Sequence, residues 1–298
     1  MRVDSIELTD GGRGYWVYAD KVGAKTALEF SLGDDDLVMW PSDSGLLVSD
    51  RYCPHAGADL AAGDFSSGAV VCPYHGHRFD EHGRSMKLSQ VLQFWPVARV
   101  GDFAFVWVGE GDPTWTLDSL ELGTDCAVID DATFVLDASM QEILENVLDT
   151  EHFVPVHDSF AAPLLEEIRI EPTRLRISST HSFEGGGQVR VRVSALGPGV
   201  MITEFGRGPW LRALALHRPL ASRKTLVRFV VSMPKSIAAG KGRVTELAYA
   251  LGGRLRPELL EDNEIWRRRC VAIDTRSSRE LHAVRRWASS FIPHPGLA

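Results

Sequence analysis

Between residues 37 and 108 the chain alternates short apolar runs with turn residues. Residues 37–40 (Leu-Val-Met-Trp), 45–48 (Gly-Leu-Leu-Val) and 69–71 (Ala-Val-Val) are β-prone and too short for helices, so the segment is predicted all-β. Residues 97–100 and 103–108 flank Gly101-Asp102, a glycine-first pair suited to a tight hairpin turn with positive φ at its first position. The breakers Gly109-Glu110-Gly111-Asp112-Pro113 follow, and a domain boundary is placed just after them, giving units 1–115 and 116–298. Beyond it, residues 127–136 read as a strand, and residues 139–154 have the length and apolar spacing of a helix. Runs at 175–177, 188–193, 200–205, 211–216 and 225–231 then predict one antiparallel sheet, with turns at Gly185-Gly186-Gly187 and Gly197-Pro198-Gly199. From residue 257 to 287 the chain is charged and helix-prone, so a long helix is expected to pack on that sheet. The fold class is therefore α+β.

Composition narrows the class. With 298 residues, 44% of them hydrophobic, the chain can bury a substantial core. Forty acidic against 32 basic side chains give a net charge of -8, which disfavours a phosphate-backbone partner, so no nucleic acid is expected. The first ten residues lack an apolar signal core, and no stretch approaches the roughly 18 consecutive apolar residues of a membrane span. A soluble, cytoplasmic protein without membrane contact is the expectation. Four cysteines are too few for a disulfide framework. Cys126 and Cys270 are expected to be buried free thiols acting as small hydrophobes.

The other two cysteines stand beside histidines. Cys53-Pro54-His55 and Cys72-Pro73-Tyr74-His75 are two Cys/His pairs on loops rich in proline and glycine, able to converge on one site. Two thiolates can carry one ferric iron and two imidazoles the other, and exchanging thiolate for imidazole raises the reduction potential. A tetrahedral zinc site uses the same donors and is the alternative. His77 is read as a packing or hydrogen-bonding residue, and His82 has no argued role.

A second group lies at Asn146, Asp149 and His152, successive i, i+3 positions if the helix is regular, followed by His157. On a regular helix His152 and His157 would point about 140° apart, too far for one metal. Pro155 is expected to end the helix and free His157 to swing back. Taken alone, the pair reads as a surface imidazole and a capping one.

The residues 53–60 and 72–80, with their Cys-x-His and Cys-x-x-His spacings and the Gly57 and Gly76 turns, resemble the two cluster loops of Rieske iron proteins. The run Asn146-x-x-Asp149-x-x-His152-x4-His157 resembles the motif that follows the Rieske domain in Rieske non-haem iron oxygenases. Two departures stand out: His77 where many members have tryptophan, and Ala56 where ring-hydroxylating dioxygenases commonly have arginine. The resemblance implies an all-β Rieske domain and a helix-grip catalytic domain. It further implies a Rieske 2Fe-2S cluster on Cys53, His55, Cys72 and His75, and a mononuclear Fe(II) on His152, His157 and a carboxylate. The segment 261–266 resembles the third-ligand segment; Asp262 is chosen, with Glu261 and Glu264 as rivals. By the same resemblance Asn146 and Asp149 belong to the catalytic apparatus. Asp149 would bridge His152 to His75 of the partner subunit in a homotrimer.

The implied function is a terminal oxygenase component that activates O2 to hydroxylate or demethylate a hydrophobic small molecule. The loops look closer to steroid hydroxylases and O-demethylases than to arene dioxygenases. No Gly-x-Gly-x-x-Gly fingerprint follows a strand. Electrons are therefore expected from a separate NAD(P)H-dependent reductase, with or without a ferredoxin. A desaturase or oxidative cyclase on the same fold, a Rieske electron carrier and a non-catalytic binding protein are the other readings. The substrate pocket is expected beneath the late helix, lined by Phe205, Trp210, Leu214 and Phe229.

Overall fold

The computed structural model describes residues 2–4, 14–22, 27–42, 45–66, 68–118, 120, 125–208, 210–274 and 276–291. The pair Gly11-Gly12 lies outside them. Among the described residues eleven strands precede residue 109: β1 (Arg2–Asp4), β2 (Tyr15–Lys21), β3 (Leu28–Leu32), β4 (Asp35–Ser42), β5 (Gly45–Asp50), β6 (Asp64–Ser66), β7 (Ala69–Val71), β8 (Arg78–Phe79), β9 (Phe94–Trp95), β10 (Val97–Val100) and β11 (Phe103–Val108). All but β1 form small sheets in the orders β10-β11-β2, β3-β4-β5-β9 and β6-β7-β8. The hairpin at Gly101 is present, with that glycine at φ 57°. β11 is buried along its whole length because both faces are covered, hence its unbroken apolar sequence. The pattern reading began at residue 37 and so passed over β2 and β3, although the run Tyr15-Trp16-Val17-Tyr18 carries strong β preference.

The remainder comprises β12 (Cys126–Leu136), α1 (Met140–Asn146), α2 (Phe153–His157), β13 (Leu164–Ile170), β14 (Arg174–Ser182), β15 (Gln188–Leu196), β16 (Val200–Phe205), β17 (Leu211–Ala221), β18 (Lys224–Pro234), α3 (Lys235–Ala238), α4 (Arg243–Arg268) and α5 (Arg279–Ser289). The sheet runs β1-β13-β14-β15-β16-β17-β18-β12. It is antiparallel except where β1 lies parallel to β13, so residues 2–4 join the sheet of the second half. Its front face carries Ala213, Phe205 and Phe229 toward α4. Its back face sets Leu214, Leu216 and Val200 against Trp16, Tyr18, Phe105 and Trp107 of the first half.

Three expectations about helices are corrected. The predicted helix 139–154 stops at Asn146: its last turn tightens, with Asp149 N donating to Asn146 O and Thr150 N to Leu148 O, and no further α turn follows. Pro155 does not end a helix. It sits in the first turn of α2, where an N–H would have no intrahelical partner. The late helix begins at Arg243, well before residue 257, and a break separates it from α5. Gly252, Gly253 and Pro257, residue types that disfavour a helix interior, all lie inside α4. A Cβ on Gly252 would meet Ile129 Cδ1 at 2.9 Å, so the glycine lets the helix lie close on β12. The two remaining cysteines are also not buried: Cys126, at the start of β12, is half-buried, and Cys270, just past α4, is exposed.

Candidate functional site

At the tip of the first half two loops repeat one design. Cys53 O accepts from Gly57 N at 2.8 Å and Cys72 O from Gly76 N at 3.0 Å; both glycines have positive φ, 68° and 65°. Each loop is closed by a return bond, Cys53 N to Ala58 O and Cys72 N to His77 O. Such a turn needs φ values that glycine adopts without strain. The first loop is further held by a two-pronged ion pair, Arg51 to both oxygens of Asp59 at 3.1 and 2.6 Å. Cys53 and Cys72 are buried against Trp40, Leu60, Val70 and Phe79. Burial raises the Cys53 thiol, while the backbone N–H groups of His55 and Ala56 pull it the other way. His55 and His75 are exposed, with rings 5.0 Å apart. The loops thus bring thiols to one side and imidazoles to the other, the donor division that a cluster with two sulfur and two nitrogen ligands needs. His77 lies beside them, its ring 4.8 Å from that of His55 and its buried Nδ1 without a hydrogen bond among the described residues.

The second site forms where the broken helix meets α4. His152 is the N-cap of α2 and His157 its last residue; Asp158 beyond it is left-handed at φ 49°, a conformation aspartate tolerates. The two imidazoles lie 5.1 Å apart, edge to face, although His152 and His157 bound one short helix, so the expected break between them is not needed. Asp262 enters from α4: its Oδ1 lies 3.2 Å from His157 Nε2 and 3.5 Å from His152 Nε2. Two donors about 2.1 Å from one ion and at right angles to each other are about 3 Å apart, so the three groups can cap one face of a metal. Both ring nitrogens of His152 are buried and neither is hydrogen-bonded among the described residues, a cost that a metal at Nε2 would relieve.

Neighbouring groups orient these three. Asn146 Nδ2 donates to Asp262 Oδ2 at 2.8 Å, and Glu261 Oε2 faces His157 Nδ1 at 2.9 Å. Glu261 therefore stands behind His157 rather than beside Nε2, and Glu264 points away to Arg267 and Arg268. Burial opposes protonation of His157, but Asp262 and Glu261 outweigh it and raise the imidazole to about 9. Asp149 Oδ1 is 3.8 Å from His152 Nδ1, and its Oδ2 accepts from Arg276 Nη1 at 2.9 Å. The His152 imidazole and the Arg276 guanidinium hold the Asp149 carboxyl below the usual range. Arg276 is itself set in a cluster with Asp274, Glu145 and Arg285 that no sequence motif announced.

His157 and Asp262 open on a cavity of about 550 Å³ between the sheet and α4, lined mainly by apolar side chains. Phe205 and Phe229 line it as expected. Trp210 instead packs on Phe205 from behind, and Leu214 faces the opposite side of the sheet because side chains alternate along β17. Sequence reasoning missed His181, on the cavity wall, and Arg276.

The profile of the Rieske [2Fe-2S] domain matches residues 15–96, and that of the 3-ketosteroid 9alpha-hydroxylase C-terminal domain matches residues 108–292. A 3-ketosteroid-9-alpha-monooxygenase oxygenase component of Rhodococcus rhodochrous is 24% identical over 86% of this chain and 73% of its own. The structure of dicamba monooxygenase bound to dicamba superposes with a TM-score of 0.60 at 16% identity, covering 92% of this chain and 94% of that one. A Pseudomonas putida NdmA variant with theobromine gives 0.67 at 14%, covering 92% and 87%.

Proposed function

Because the chain belongs to the Rieske non-haem iron oxygenases, with a second half of the 3-ketosteroid 9alpha-hydroxylase type, we propose the following division of labour among its residues. The protein is a terminal oxygenase component, which takes its electrons from a reductase or ferredoxin. Cys53, Cys72, His55 and His75 hold the 2Fe-2S cluster; His152, His157 and Asp262 hold the mononuclear iron. When bound, the cluster supplies electrons singly and the ferrous ion supplies oxygen activation. Asn146 fixes the rotation of the Asp262 carboxylate and Glu261 that of the His157 ring, so both present their donor atoms inward. Asp149 links His152 to His75 of the partner subunit in a homotrimer; support comes from the partial exposure of Asp149 and the exposure of His75 at its tip. The units 1–115 and 116–298 divide redox input from catalysis.

The substrate is a hydrophobic small molecule, hydroxylated or demethylated in the cavity, and the protein works in the cytoplasm. No helix among the described residues is long and apolar enough to cross a membrane. The observation that carries this reading is the convergence of His152, His157 and Asp262, the last two on the wall of a largely apolar cavity. Desaturation is the second reading, since removing hydrogen needs the same site. The test strips iron from the triad site while leaving the cluster absorbance intact, and follows oxygen uptake and product with a surrogate reductase. Product must vanish and return with ferrous iron; unchanged turnover without that iron would overturn the proposal.

A further inference from the structure

β14 turns Leu175, Ile177, Ser179 and His181 to one side, the first two nearly inaccessible and the last two on the cavity wall. His181 therefore stands at an inward position of the strand where its neighbours on that face are apolar or small. Its Nε2 lies 3.2 Å from Ser179 Oγ, and Nδ1 makes no hydrogen bond among the described residues. A buried hydroxyl needs an acceptor, and His181 Nε2 is the only partner of Ser179 Oγ among the described residues. The tautomer assigned on that ground carries its proton on Nδ1. Burial pushes the imidazole down to about 4, so it is neutral at physiological pH. The ring meets Phe153 edge-on at 5.4 Å, and Phe153 in turn touches the rings of His152 and His157, which puts this donor one phenyl ring from the triad.

The charges around the cavity select further. Its carboxylates are Asp158, Glu184, Glu258 and Asp262. Arg254, the only arginine or lysine among the described lining residues, is already engaged with Glu258 Oε1 at 3.1 Å and the His157 carbonyl at 2.9 Å. Apart from the iron of the triad, an anionic substrate would find no uncommitted cation on this wall, so a carboxylate held away from that iron would go unmatched.

We propose that His181 is a substrate-recognition residue, donating from Nδ1 to an uncharged acceptor oxygen on an otherwise apolar substrate, and that a carboxylate is not accepted at this end of the cavity. The inference rests on the oxygenase reading only in taking this cavity as the substrate's. Fluorenone, fluorene and fluorene carboxylate share one skeleton and test it by equilibrium dialysis against the iron-loaded protein under anaerobic conditions. Fluorenone should bind about tenfold tighter than fluorene, the worth of one neutral hydrogen bond in a dry site, and any binding of the carboxylate should be indifferent to His181. His181→Phe should erase the ketone preference while leaving fluorene affinity within threefold; His181→Gln, which keeps a donor, should restore most of it. Equal binding of ketone and hydrocarbon, an equal loss of both in His181→Phe, tight carboxylate binding that His181→Phe abolishes, or no binding of either neutral probe would each overturn the proposal. Oxygen-coupled product formation, measured separately, reports on the oxygenase assignment, which can fail while the ketone preference stands.

Discussion

Asn146 offers the sharpest test of how the iron site is held. Its Nδ2 donates to Asp262 Oδ2 at 2.8 Å, while Asp262 Oδ1 is the atom facing both histidines. Asn146→Ala removes the only group among the described residues that hydrogen-bonds Oδ2, leaving a nearly buried carboxylate free to rotate about its χ2 axis. A hydrogen bond to a charged group contributes about 1.5–3 kcal/mol, and each 1.4 kcal/mol is about tenfold in affinity. The ferrous dissociation constant should therefore rise about 10–100-fold, the range seen when groups behind metal ligands are lost. Competition against a ferrous chelator at fixed pH measures it, with the cluster's visible absorbance as internal control because Asn146 is far along the chain from both cluster loops. Iron affinity within threefold of wild type would show that Asp262 needs no such support and would refute the reasoning.

Further outcomes follow from the same geometry. Asp149→Asn should keep the cluster absorbance and iron content yet lower product formation on the order of a hundredfold, since it removes the charge that Arg276 and His152 jointly orient; undiminished turnover would sink the bridging role. His217 is fully buried, with Nδ1 against Pro198 O at 3.0 Å, and burial lowers its imidazole to about 4. The unfolded chain binds the proton that the folded one refuses, so stability present above pH about 6.5 is lost as pH falls toward 4, by up to ~3 kcal/mol. Denaturant titrations across that window should show the slope, and His217→Asn, which retains a donor for Pro198, should flatten it. Trp287 is inaccessible, stacks edge-on with Phe291 at 5.0 Å and donates to Glu171 O; Trp287→Ala should cost about 3–5 kcal/mol in the same titrations.

Much of this was legible because local spacing carries it. The cluster loops are short, and their cysteines, histidines and glycines lie within a few residues of one another, so the chain itself fixes their approach. The strands of the second half alternate or run apolar as their burial demands. The helix through Asp149 was over-extended because Val147 and Leu148 continue the apolar spacing of Ile143 and Leu144, while the break is decided by packing against α4 and α5. Choosing among Glu261, Asp262 and Glu264 had a readable signal: Ala248, Gly252, Leu255, Leu259, Asp262 and Trp266 form one stripe at helical spacing, and Asp262 is its only charged member. That stripe is visible only if α4 is allowed to run through Gly252 and Pro257. His181 needed β14 to be followed past Ile177, where the inward alternation reaches it. Arg276 and its acidic neighbours had no such signal, since tertiary contact alone gathers them.

The close seam between the halves bears on engineering. Gly199 sits where any side chain would run into the Trp16 carbonyl, Arg218 Nη1 donates to Ala19 O, and the arginine's guanidinium lies over the Phe30 ring at 5.0 Å. A chimera joined in the breaker-rich linker after β11, meant to give this oxygenase a relative's electron donor, would splice the chain cleanly but leave that seam mismatched. The transferable cassette is smaller: residues 51–84, whose turns close on themselves through Arg51-Asp59 and Asp80-Arg84 bonds, can be exchanged while β2, β3 and β11 keep their strand partners, provided an arginine at 51 still meets Glu29 of β3.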